Sequence, residues 1–355
     1  VNSTHHEGGS VVIPHSYVAA LLMTVLTMMC WGSWANVVKI VGEWRFELLY
    51  YDYALGILLT SIVAGLTLGS MGSYGQPFLA DLFAAGASNI AYGFAGGVVY
   101  SFSNILVVGA IAVAGLGVAF PIGVGLALVV GVIWNYFVNP QGNPFLLFLG
   151  VAFVVAAIVL DGIAYRVRSS ESRAKNDVTV ADAGKNTRKG ILLSVAGGVL
   201  MGMFFPLVEI GKSGPGGLGP YAIGFVFSAG VFLSTFVYNA YFLRKPIQGP
   251  PLQFRNYFKG TSKEHFWGIV GGVVWAIGTL SSFVAASAPK ELQVGPAISY
   301  ALGQGSTMVG ALWGVVVWRE FKGGGRLVTG CLVLMFILFV SGLTLISVAP
   351  LYAAH

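Results

Sequence analysis

Long apolar runs alternate with short polar connections along the chain. A helix needs about 20 apolar residues to cross the hydrocarbon core of a bilayer. Ten stretches reach that length: Tyr17–Val38, Leu48–Leu68, Asn89–Val108, Gly115–Phe137, Phe145–Tyr165, Gly190–Ile210, Pro220–Phe242, Phe266–Ala286, Gly295–Trp318 and Leu327–Ser347. The pattern predicts an all-α integral membrane protein of ten transmembrane helices. It divides into an N-terminal segment (1–16), five helices (17–165), a polar linker (166–189), five more helices (190–348) and a short tail (349–355). The opening Val1–Ser16 has no basic region ahead of an apolar one, so it does not read as a cleavable signal.

Composition supports lipid as the solvent. Hydrophobic residues make up 56% of the 355 and charged residues 9%, against about 25% charged in soluble domains. Gly is abundant, at 50 residues, and small residues let transmembrane helices approach closely. Of the 19 Lys and Arg, only Lys212 and Lys290 fall on the side that holds the termini. The opposite side has seven in Arg166–Lys189, and Arg244, Lys245, Arg255, Lys259 and Lys263 between the seventh and eighth spans. Cytoplasmic loops carry the Lys/Arg excess. The expectation is a multi-pass plasma-membrane protein with both termini external and the central loop cytoplasmic. The net charge of +6 then reflects topology and does not signal a nucleic-acid partner. Cys30 and Cys331 make neither a disulfide framework nor a metal site, and no cofactor is expected.

The halves resemble each other. Gly93-Phe94-Ala95-Gly96-Gly97-Val98-Val99-Tyr100 parallels Gly268-Ile269-Val270-Gly271-Gly272-Val273-Val274-Trp275 at an offset of 175 residues, which also maps Pro121 onto Pro296. Leu55-Gly56 faces Ala229-Gly230 at a similar offset. Five helices per copy is odd, so the second copy enters the membrane from the other side. This predicts a 5+5 inverted repeat, an arrangement common in secondary transporters. Pro121 and Pro296 read as helix starts.

Formal charge at membrane depth is costly and marks function. Lys39, Asp52, Asp161 and Glu209 lie close to the span ends. Lys39 and Asp161 are expected to snorkel or pair near the cytoplasmic surface, and Asp52, within Tyr50-Tyr51-Asp52-Tyr53, resembles part of an interfacial aromatic belt. Glu209, and after it Asp52 and Asp161, are the candidates for a proton-coupling carboxylate. Neutral polar residues at helical spacing point to a binding site. Tyr100 and Asn104 share a face, and their counterparts in the repeat are Trp275 and Thr279. Tyr300, Gln304 and Thr307 form a stripe, and Trp31, Trp34 and Asn36 cluster in the first span. Amides and hydroxyls exchange hydrogen bonds with an uncharged solute while rings stack on it. The competing accounts are helix-to-helix hydrogen bonding for the amides and interface anchoring for the tryptophans.

An enzyme is not expected. The five histidines (His5, His6, His15, His265, His355) lie in termini or at a span edge, and no H-E-x-x-H or G-x-S-x-G motif occurs. Gly32-Ser33-Trp34, Tyr51-Asp52-Tyr53, Ala95-Gly96-Gly97-Val98-Val99 with Asn104, and Asn135-Tyr136-Phe137 carry a resemblance to the drug/metabolite transporter superfamily, and within it to the ureide permeases. It covers the first half and, more loosely, the second. It implies alternating-access, proton-coupled uptake of a neutral metabolite such as a ureide or nucleobase. The glucose and rhamnose branch of the superfamily implies a monosaccharide as the alternative. Plant ureide permeases are described with a nucleotide-binding-like central loop. Here Gly184-Lys185-Asn186 lacks the first glycine and final hydroxyl of that motif, and Gly211-Lys212-Ser213 has Pro206 at the first glycine. The partners expected are a small solute, protons and the lipid bilayer; the oligomeric state is left open.

Overall fold

A computed structural model of the chain describes residues 11–72, 75–175, 183–247, 249–289 and 294–352. Its helices are α1 (Tyr17–Ser33), α2 (Asn36–Val41), α3 (Phe46–Leu66), α4 (Phe78–Ala84), α5 (Ala87–Ala114), α6 (Leu116–Val138) and α7 (Pro144–Lys175). There follow α8 (Ala183–Lys212), α9 (Pro220–Arg244), α10 (Ser262–Ala285), α11 (Pro296–Gln304), α12 (Ser306–Leu312) and α13 (Arg326–Val348). Among the described residues, nine helical stretches are long and apolar enough to cross a membrane, with α1 and α2 counted together as Tyr17–Val41. Outward faces are apolar as well: Leu22, Val63 and Val237 are each about two-thirds exposed. Such a surface suits hydrocarbon.

Two expected spans are broken. The first is interrupted at Trp34–Ala35, where the Val37 and Val38 amides bond back to the Trp34 and Ala35 carbonyls in tight turns. The ninth, Gly295–Trp318, is helical in three pieces: α11, α12 and a π-helical turn at Trp313–Val317, with Gly305 as the joint between the first two. Pro296 starts α11 as expected, but Pro121 lies inside α6, past its first turn. The helices also run on into the segment 166–189 expected as a linker, since α7 continues to Lys175 and α8 begins at Ala183. Residues 1–10, 73–74, 176–182, 248, 290–293 and 353–355 lie outside the described residues, which takes most of the N-terminal segment, the middle of the linker and Lys290 with them.

Glycine sets the closest helix crossings. A Cβ on Gly97 of α5 would strike the Phe227 carbonyl of α9, and a Cβ on Gly230 of α9 would strike the Phe94 carbonyl of α5. A second crossing has the same form: Gly272 of α10 sits on the Tyr53 carbonyl of α3, and Gly56 of α3 sits on the Ile269 carbonyl of α10. Removing the side chain at these points lets two backbones touch. The wider pairing of helices follows suit. α5 packs on α8 and α10 on α1; α6 packs on α8 and α12 on α1; α3 packs on α9 and α7 on α13.

The two ends of the bundle differ in charge. At the basic end Lys39 pairs with Glu320, Arg168 donates to the Glu320 and Lys322 carbonyls, and Lys189 donates to the Ile247 carbonyl. The opposite end ties Tyr17 to the Ser347 carbonyl and Asn89 to the Gly211 and Ser213 carbonyls.

Gly97→Ala and Gly272→Ala are each expected to cost about 1–3 kcal/mol by overpacking. Gly125, whose Cβ would meet open space, should tolerate Ala with no loss, or gain up to about 1 kcal/mol from helix propensity. Thermal unfolding of the purified variants in detergent checks both.

Candidate functional site

The centre of the bundle is an aromatic cluster. Trp275 stacks on Tyr100 at 4.2 Å between ring centroids, on Trp31 at 6.0 Å and on Phe227 at 6.0 Å. Phe204 meets Tyr100 edge-on at 5.4 Å. The cluster continues through Tyr300 and Phe205 to Phe283. Trp31 is buried against it, which removes the interface-anchor account for that residue. Its indole N–H donates to Thr279 Oγ1 at 3.0 Å, and the Thr279 hydroxyl donates in turn to the Trp275 carbonyl. Tyr100 and Tyr53 share a hydrogen bond of 2.6 Å between their hydroxyls.

Below this cluster, toward the basic end, lies a cavity of about 390 Å³. Its size is in the range of small-molecule sites, about 300–1,000 Å³. Eight of the ten expected binding residues line it: Trp31, Trp34, Asn36, Tyr100, Asn104, Trp275, Gln304 and Thr307. Thr279 and Tyr300 do not reach it. Thr279 is occupied in holding Trp31, and the Tyr300 hydroxyl lies 3.3 Å from both the Ala127 and the Met201 carbonyl, either of which accepts its one hydrogen.

The polar groups of the cavity differ in how firmly they are held. Asn36 is committed to structure: its amide donates to the Ser33 carbonyl at 2.8 Å and its oxygen accepts from the Trp318 indole at 2.5 Å. The two bonds close the break between α1 and α2 and tie it to the segment after α12. The Thr307 hydroxyl bonds the Gln304 carbonyl. Among the described residues the Asn104 side chain makes one long hydrogen bond, 3.5 Å to the Tyr50 hydroxyl. Among the described residues the side-chain amide of Gln304 makes no hydrogen bond, although Gln304 is buried. The amide borders the cavity, where a solute is the partner it lacks within the protein.

The three acidic candidates separate cleanly. Asp161 lines the cavity, is 2% exposed, and its Oδ1 has no hydrogen-bond partner among the described residues. Asp52 faces away from the cavity: it accepts from the Tyr257 hydroxyl at 2.6 Å, and its Oδ2 lies 2.8 Å from His265 Nδ1. Burial, and then the Asp52 carboxylate, hold the Tyr257 hydroxyl well above the usual tyrosine range, so it remains a donor. Glu209 lies on the far side of the aromatic cluster. It lines a separate cavity of about 720 Å³ at the opposite end and is held 2.7 Å from Lys212.

Sequence reasoning missed the mouth of the inner cavity. Glu320 accepts from the Tyr165 hydroxyl at 2.6 Å and pairs with Lys39, so one loop residue joins α2 and α7. The chain reaches it through the π turn and through Arg319, the one non-glycine residue with positive φ (53°) among the described residues. π turns and strained backbone cluster at functional positions. Two signals were present: Asp161 and Tyr165 at i, i+4 on one helix, and a lone acid between Arg319 and Lys322.

The ureide permease family model matches residues 49–192. The chain is 23% identical to ureide permease 1 of Arabidopsis thaliana, over 94% of this chain and 96% of that protein. It is 24% identical to ureide permease 2 of the same plant, over 90% and 94%. A solved crystal structure superposes with a TM-score of 0.57 at 15% identity, covering 92% of this chain and 96% of that one, which shows a shared fold. The likeness points to a multi-pass membrane transporter and not to an enzyme.

Thr279→Val leaves the buried Trp31 indole without its acceptor and is expected to cost about 1–3 kcal/mol. Gln304→Leu removes no side-chain hydrogen bond among the described residues and should leave the melting temperature unchanged or raised. Melting curves of the two variants without solute, side by side, check the assignment.

Proposed function

We propose that this chain is an alternating-access secondary transporter for a small neutral heterocycle with several N–H and C=O groups, a ureide or nucleobase. The observation that carries the reading is the inner cavity itself: stacked rings on one wall, and the unpartnered Gln304 amide beside Asn104 on another. A planar solute can stack on Trp275 and Tyr100 while its edge exchanges hydrogen bonds with the amides. The similarity to proteins named ureide permeases supports the same substrate class.

The architecture in this reading is ten spans in a 5+5 inverted repeat, with the broken stretch Pro296–Val317 as the ninth. Support comes from the matched glycine crossings. Gly97 on α9 and Gly272 on α3 are equivalent positions of the two copies, each packed on the other half. Exchanging the halves converts one crossing into the other, so two states open to opposite sides are of comparable energy. The basic end faces the cytoplasm of the plasma membrane by the charge rule, the termini lie outside, and the conformation described is open inward.

Coupling to protons is assigned to Asp161. Unlike Asp52 and Glu209, it reaches the cavity and has no fixed partner. Such a carboxyl is free to exchange a proton with whatever fills the cavity, and Glu320 and Tyr165 beside it connect that exchange to the mouth.

Thermal-shift titration with allantoin, uracil and hexoses tests the substrate class. Saturable stabilisation by a heterocycle, lost in Gln304→Leu, is the expected outcome; saturable stabilisation by a hexose alone would establish the monosaccharide alternative instead. In proteoliposomes, Asp161→Asn should abolish accumulation driven by a pH gradient while leaving counterflow exchange intact. Accumulation that survives this change would remove Asp161 from the coupling role.

A further inference from the structure

Away from both central cavities, the basic end carries a lateral groove of about 710 Å³. Its apolar wall is Tyr51, Phe236 and Leu243, and its rim at the end of α9 is Arg244. The outer wall is the loop after α9, which folds back so that the Leu252 amide bonds the Leu243 carbonyl at 2.7 Å. Arg45 fixes that loop by donating to the Pro250 carbonyl. The short 3₁₀ helix that follows, Phe254–Lys259, presents Phe258 at 72% exposure between the exposed cations Arg255 and Lys259.

The charge around the groove is one-sided. Arg244, Lys245, Arg255, Lys259 and Lys263 are exposed, and none lies within 4 Å of a carboxylate among the described residues. The nearby acids are engaged: Glu47 by Arg45, and Glu264 by the amide and hydroxyl of Thr261. Exposed rings beside cations that have no carboxylate partner are what a lipid–water interface selects. A groove with an apolar wall and a cationic rim matches a molecule with hydrocarbon at one end and negative charge at the other. Juxtamembrane cations attract anionic headgroups at about 1 kcal/mol each, or about fivefold in affinity.

We propose that this groove is a binding site for an anionic glycerophospholipid, with its acyl chain along Tyr51, Phe236 and Leu243 and its phosphate at Arg244 and Lys245. The site holds the loop after α9 against α3, and so fixes the wall next to the second glycine crossing. It is independent of which solute the protein carries.

Native mass spectrometry of the purified protein, with phosphatidylglycerol and phosphatidylcholine of identical acyl chains, tests it. Wild type should retain phosphatidylglycerol at least about fivefold better. Arg244→Ala with Lys245→Ala should erase that preference. Ala240→Trp, which fills the groove and leaves every charge in place, should lower retention of both lipids; if it melts low, Ala240→Leu carries the same expectation. Lys322→Ala with Arg326→Ala removes two cations elsewhere on the same end and should change nothing. No preference in wild type, no effect of filling the groove, or an equal loss in the Lys322/Arg326 control would each overturn the proposal.

Discussion

Direct contact between helix backbones is the constraint on which the interior depends. In lipid, apolar side chains gain little by leaving one hydrocarbon for another, so helices associate through close packing and hydrogen bonds. Gly97 with Gly230, and Gly56 with Gly272, bring α5 to α9 and α3 to α10 as near as backbones can come. That approach brings Tyr53 and Tyr100 together and sets Trp275 against Tyr100. A bulkier residue at either crossing would separate the rings as well as the helices. The aromatic cluster is therefore a consequence of glycine placement.

The cluster also divides the molecule along its length. On one side is the inner cavity with unpartnered Gln304 and Asp161. On the other is the larger cavity where Glu209 and Lys212 pair. Phe205 and Glu209 are one turn apart on α8, so the outer ion pair stands directly over the ring wall. The two cavities use polar groups differently. The outer one has satisfied its charges within the protein. The inner one keeps an amide and a carboxyl available, which is what a site awaiting a solute requires.

Much of this was legible in the sequence because lipid imposes simple rules. Span lengths follow from hydrocarbon thickness, and among the described residues nine long helices appear where apolar runs predicted them. The i, i+4 stripes named Gln304, Asn104 and Tyr100, which border one cavity, since helical periodicity fixes which residues share a face. Periodicity does not reveal whether a polar group is already satisfied. Thr279 and Tyr300 sit on the same stripes, yet their hydroxyls are bound to Trp31 and to backbone carbonyls. The carboxylates show the same limit. Depth in the membrane put Glu209 ahead of Asp52 and Asp161, while their differing partners depend on Lys212, His265 and Tyr257, the last in a loop far away in the chain. Glu320 was hidden for a related reason: its place at the mouth follows from a π turn and the Arg319 backbone, neither of which leaves a hydropathy signal.

The first helix has an unexpected allegiance. Thr27 donates to the Gly278 carbonyl at 2.7 Å and Trp31 to Thr279, so α1 is stitched to α10 by two buried polar bonds. Hydrogen bonds shielded from water have no competitor for their partners. The N-terminal helix is thus anchored in the C-terminal half of the chain and can complete its packing only once α10 has been made. During synthesis it must wait in the membrane for more than two hundred residues, and neither half severed from the other would possess a finished interior.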